Sequence, residues 1–135
     1  LEAQMKAVFL SLFAGLLAIP LVAHHSFQAE FDAAKAVTLT GAVTKLEWTN
    51  PHAHFYLDVK GADGKVTNWN LELASPNVLR RLGWNREIFK VGEAVTVFCA
   101  QAKDGSNLAS ARTVTLPDGR KMSAGSMADD PPPTN

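Results

Sequence analysis

From Val37 the chain alternates, with Val37, Leu39, Gly41 and Val43 on one phase and Thr38, Thr40, Ala42 and Thr44 on the other. A period of two sends neighbouring side chains to opposite faces, so this stretch is predicted to be a strand. The phase slips after Gly41, because Leu46 and Trp48 are the next large apolar residues. Such a slip beside a mid-strand glycine predicts a long strand that bends or bulges. Thr49-Asn50-Pro51 ends it, since proline has no amide hydrogen for the ladder and holds Asn50 extended.

A second strand sets Phe55, Leu57 and Val59 against His54, Tyr56 and Asp58, and a third sets Trp69, Leu71 and Leu73 against Asn68, Asn70 and Glu72. Matching the two apolar faces needs a connection with an odd number of residues. Ala62-Asp63-Gly64 supplies one, with Gly64 in the left-handed position of a three-residue hairpin loop. In that register His54 lies opposite Glu72, Tyr56 opposite Asn70, and Asp58 opposite Asn68. Ser75-Pro76 then provides an N-cap and a first-turn proline for a short helix over 77–82, stopped by Gly83. A second helical turn is expected within 84–89. The fourth strand is predicted over 94–102 and the fifth over 109–116, with a short edge piece over 120–122.

Three strands, a short helix and two further strands, the first strand long and bent, predict a mainly β fold. The matching architecture is a small five-stranded Greek-key barrel like the OB-fold, its helix between strands three and four. An open meander or a sandwich is the alternative. The barrel is assigned to 37–122. An N-terminal arm over 24–36 precedes it, with Phe27 and Phe31 placed to dock. A tail over 123–135, containing Gly, Ser, acidic residues and consecutive prolines, is expected to be disordered.

Upstream, every residue from Ala7 to Val22 is apolar, Gly, Ser or Pro; Lys6 precedes the run and Ala23 closes it. Residues 1–23 therefore read as upstream sequence and a secretory signal peptide cut after Ala23. An uncleaved anchor is the alternative. Export of this kind predicts a periplasmic or secreted bacterial protein that keeps no stable membrane span. Thirteen basic and thirteen acidic residues balance to zero, and no basic stripe appears, which argues against a nucleic-acid partner. Cys99 is the sole cysteine, so no internal disulfide can form; its apolar surroundings predict a buried, inert thiol. No nucleophile–base pair can be read from spacing, and an enzyme is not expected.

The four histidines fall into two pairs, His24/His25 and His52/His54. OB-folds take ligands on the outer face of strands two and three, beside the first–second loop. By that analogy Trp48, Asn50, Tyr56 and Asn70 are candidate ligand-binding residues. His52 and His54 leave one face if the chain is already extended at His52, and Glu72 adds a carboxylate; imidazoles with a carboxylate suit zinc, copper or iron. Cleavage after Ala23 would give His24 a free α-amine beside its own imidazole, a chelate for Cu(II) to which His25 adds a nitrogen. His24, His25, His52, His54 and Glu72 are thus the candidate metal ligands, and copper is the expected cofactor. The plainer alternatives are a cross-strand pair that only stabilises the sheet and a solvated terminus that holds nothing. Two kinds of partner follow: a metal ion or small polar ligand, or a periplasmic protein docked through Trp48, Tyr56 and the exposed strands.

Ala-His-His-Ser-Phe at Ala23–Phe27, Glu-Trp-Thr-Asn-Pro-His at Glu47–His52 and Asp-Gly-Arg-Lys at Asp118–Lys121 resemble a family of small exported bacterial proteins known only as a domain of unknown function. The resemblance extends to Ser75–Asn77 and to Gly83–Trp84, and implies export and a shared fold without an activity. His54 stands where the family pattern suggests a bulky aromatic. The outline is also similar to periplasmic OB-fold proteins that include copper chaperones, whose Cu(I) sites use methionines and a tryptophan. Met122 and Met127 come too late in the chain to reproduce that site.

Overall fold

The computed structural model describes residues 29–125. The expected signal peptide and its cleavage point, His24, His25, Phe27, Met127 and most of the C-terminal tail lie outside them. The described chain forms β1 (Phe31–Glu47), β2 (His54–Lys60), β3 (Val66–Glu72), α1 (Pro76–Arg81), β4 (Ala94–Ala102), β5 (Leu108–Thr115) and β6 (Lys121–Ser123). It is mainly β, with six strands in one sheet ordered β3-β2-β1-β4-β5-β6. These neighbours are antiparallel, and a further parallel pairing joins β3 to β5 through Asn70↔Leu108, Leu71↔Ala109 and Glu72↔Ser110.

The bend predicted in β1 is a bulge. Its register against β2 shifts between Val43 and Lys45, so Thr44 is the extra residue. Gly41 lies where β1 passes from pairing with β4 to pairing with β2, sitting opposite Val95 and close over the carbonyl of Asp58. Any Cβ at 41 would collide with that oxygen, which is the reason glycine occupies the site. β1 starts at Phe31, well before the predicted Val37. Asp32–Ala36 shows no apolar alternation, and the register against β4 is irregular between Phe31 and Ala36, so the pattern gave no signal there. Phe31 itself is 2% exposed and sits opposite Ala102, docked onto the body as expected.

The hairpin of β2 and β3 pairs as its apolar faces demand: His54↔Glu72, Tyr56↔Asn70 and Asp58↔Asn68, with Gly64 at φ 82°. Ser75 caps α1, its side chain accepting from the Val78 amide at 3.4 Å, and Pro76 opens the first turn. The core gathers Phe55, Leu57, Leu71, Val95, Val97, Cys99 and Val114 from the strands, with Leu79, Trp84 and Phe89 closing one end. Phe89 lies 4.9 Å from Phe55 and meets Trp84 edge-on at 5.6 Å.

Residues 84–89 do not form the second helical turn predicted for them. Trp84 and Phe89 both turn into the core, and the Asn85 side chain accepts from the Glu87 amide at 2.9 Å, offering the backbone a turn in place of a helix. The C-terminal boundary also moves. Ser123 completes β6, Ala124 is fully buried, and the Trp84 indole donates to the Ser123 carbonyl at 2.8 Å, so 123–125 belong to the fold and not to a disordered tail. Cys99 is buried; burial pushes its thiol up to about 12, with Arg112 pulling weakly the other way. Among the described residues no helix is long and apolar enough to cross a membrane.

Candidate functional site

The polar side of the β2–β3 hairpin is built by alternation. Phe55, Leu57 and Leu71 turn inward and are fully buried, which forces His54, Tyr56, Asn70 and Glu72 outward. Pairing on both flanks extends this into rows across the sheet. One row runs Glu47–His54–Glu72–Ser110 and the next Lys45–Tyr56–Asn70–Leu108. His54 therefore has a carboxylate residue on either side of it.

Those two carboxylates have different partners. Glu47 is bound by Lys45 and accepts from the Tyr56 hydroxyl at 3.1 Å. The Lys45 hydrogen bond is the main force holding its carboxyl below the usual range. Glu72 has a side chain only 18% exposed, and its Oε1 lies 3.1 Å from Nδ1 of His52. Burial pushes the Glu72 carboxyl up; His52 opposes this, Glu30 adds to it, and His54 opposes it. His54 turns to neither: its Nδ1 meets Oδ1 of Asn70 at 2.8 Å.

The two strand-side histidines are thus brought to the same pole but held by separate partners. Glu72 faces His52, although its ladder partner is His54. β2 starts at His54, so His52 still lies in the loop and does not continue the strand's alternation. Among the described residues no three His, Cys, Asp or Glu side chains come close enough together to hold a metal ion. The expected His52/His54/Glu72 cluster is therefore not assembled from these residues alone.

The candidate ligand-binding residues also separate. Tyr56 and Asn70 stand side by side on the outer face, Tyr56 with the Lys45 ammonium 5.5 Å from its ring centre and Asn70 engaged with His54. Trp48 instead packs half-buried against the core margin, with the Arg80 guanidinium 5.8 Å from its ring centre. Asn50 is exposed in the β1–β2 loop and precedes a cis peptide bond to Pro51.

Sequence reasoning missed Glu30 and Ser110. The Glu30 carbonyl accepts from the Lys103 amide at 2.9 Å, fixing the start of the described chain beside the β4–β5 turn, and its charge acts on Glu72. Ser110 comes alongside Glu72 through the parallel β3–β5 pairing. Neither position carries a local signal, because both depend on pairings between distant segments.

A family model described as a family of unknown function, DUF6152, matches residues 14–111. The chain belongs to this family. The DUF6152 match spans β1 to β4 and the first half of β5, and so includes all of the polar rows just described. No curated protein matches the chain.

Proposed function

We propose that this DUF6152 protein is an exported, non-catalytic binding protein that holds a transition-metal ion, copper by the chemistry of its donors, where His52, His54 and Glu72 meet the N-terminal segment carrying His24 and His25. What supports this reading is where the described chain starts: the Glu30 carbonyl accepts from the Lys103 amide at 2.9 Å, and the charge of Glu30 bears on Glu72, which meets His52. His25 is five residues before Glu30, a span of about 17 Å at full extension, so both N-terminal histidines can reach the same pole. Two strand-side imidazoles supply part of a site, and the α-amine and imidazole of His24 freed by cleavage after Ala23 would supply the rest. Such a nitrogen-rich set favours Cu(II) over the other divalent first-row ions.

The same reading takes the sheet to be a closed five-stranded Greek-key barrel of the OB type. Its support is the β3–β5 pairing, which links the outer strand β3 back to β5 and makes the circuit β1-β2-β3-β5-β4-β1. Its polar outer face on β2 and β3 is then the usual ligand side of that fold. Export to a bacterial periplasm rests on the leader-like residues before His24.

The test is a Cu(II) titration of the exported protein after N-terminal sequencing has established that it begins at His24. Binding tighter than about 1 μM, weakened at least tenfold by His24→Ala, is expected. Weaker binding, or an affinity unchanged in that variant, overturns the reading.

A further inference from the structure

We infer that the exposed side of α1 is a docking surface for the chain's own C-terminal segment, Met127 covering Val78 and Leu82 and the Asp129–Asp130 pair meeting Arg81. This contact needs no metal ion and is independent of the reading above. Helical spacing makes the surface. Val78, Arg81 and Leu82 are three and four residues apart, so they share one side of α1 and its C-cap, while Leu79 turns into the core. Val78 is 36% and Leu82 39% exposed, the two large apolar side chains that this element leaves open. No acidic residue lies between Glu72 and Glu87, whereas Arg80, Arg81 and Arg86 all fall in that stretch. Arg80 is engaged, donating to Oδ1 of Asn77 at 3.0 Å with its guanidinium over the Trp48 ring. Among the described residues no carboxylate pairs with Arg81. An open apolar pair beside such a guanidinium suits a partner that carries both an apolar and an acidic side chain.

The chain brings that partner to the place itself. The Ala124 carbonyl accepts from the Ala74 amide at 3.0 Å, and Gly125 then lies against the same two side chains. A Cβ on Gly125 would sit 2.9 Å from Cγ1 of Val78 and 3.0 Å from Cδ1 of Leu82. Ser126, Met127, Ala128, Asp129 and Asp130 come next. At full extension two residues span about 7 Å and five about 17 Å, against a length of about 9 Å for α1, so all three side chains can reach it. A segment tethered this closely acts at an effective concentration of about millimolar, ahead of a second copy or a foreign peptide.

The test is NMR on the exported protein with its full C-terminal segment, carrying labelled Met, Leu and Val methyl groups. In dilute solution, nuclear Overhauser contacts from the Met127 methyl to Val78 and Leu82 are expected; their absence overturns the inference. Contacts seen only between differently labelled copies also overturn it, because a second molecule would then occupy the surface. Reversing both charges with Asp129→Lys and Asp130→Lys should weaken the contacts about twofold, and adding Arg81→Glu should restore them. Equal losses with and without Arg81→Glu would overturn the pairing with Arg81.

Discussion

His54 separates two glutamates that sit in one row of one sheet and behave in opposite ways. On the β1 side, Glu47 has a lysine and a tyrosine hydroxyl at hand, and hydrogen bonding holds its carboxyl down. On the β3 side, Glu72 lies beside β5 through the parallel pairing with Ser110, and burial pushes its carboxyl up, the charge of Glu30 adding to the effect. Strand register delivers both residues to the row. What differs is the immediate surroundings: Glu47 has Lys45 two residues earlier on its own strand and Tyr56 on β2, whereas Glu72 sits buried beside the β3–β5 seam. A carboxylate's chemistry on this sheet is therefore set by its local partners and burial more than by the face it occupies.

The most damaging way to break the contrast is to remove the floor beneath both residues. Phe55→Ala, at a fully buried ring stacked near Phe89, should cost about 3–5 kcal/mol of stability in urea unfolding and blur both carboxylate environments together. Gly41→Ala acts on one side only. Its new Cβ meets the Asp58 carbonyl and pushes β1 away from β2, so a loss of about 1–3 kcal/mol is expected, with Glu47 displaced while the β2–β3 pairs survive in amide exchange.

The smallest effects give the sharpest comparison, because they differ in sign. Glu47 titrates low in the folded state, so its stabilising contribution is present above the ordinary glutamate range and is lost as pH falls through the lowered value. Glu72 titrates high, so its contribution is full in acid, below the ordinary range, and is lost as pH rises through the raised value. Urea unfolding of Glu47→Gln and Glu72→Gln at acid and neutral pH should show this directly. The native protein should gain on the first variant with rising pH and lose ground to the second. Parallel slopes would mean that the two carboxylates do not differ.

The hairpin was legible in the sequence because three independent signals agree on it: alternation in Phe55-Leu57 and Trp69-Leu71, a glycine able to hold φ 82° at 64, and an odd-numbered loop. Its cross-strand partners could be written down pair by pair. The bulge in β1 was equally readable as a phase slip, and Ser75-Pro76 announced α1. The candidate site was less so. That His52 approaches Glu72 while His54 takes Asn70 depends on how a loop residue and a strand residue aim their rings, which periodicity does not encode. Trp48 carried the same apolar signal whether it packed on the core margin or faced a ligand. Glu30 and Ser110 reach Glu72 only through long-range pairing, and the turn at 84–89 was misread as helix because two buried aromatics outweigh local propensity.

The last described residues have a practical consequence for anyone producing this protein. Ala124 accepts from the Ala74 amide at 3.0 Å, and Gly125 rests so close to Ala74, Val78 and Leu82 that a side chain would crowd them. A recombinant fragment truncated at the turn before β6, or carrying a purification tag fused there, would leave the Trp84 indole and the Ala74 amide without acceptors. The shortest expressible unit therefore runs through Gly125, and any fusion partner is better attached beyond it.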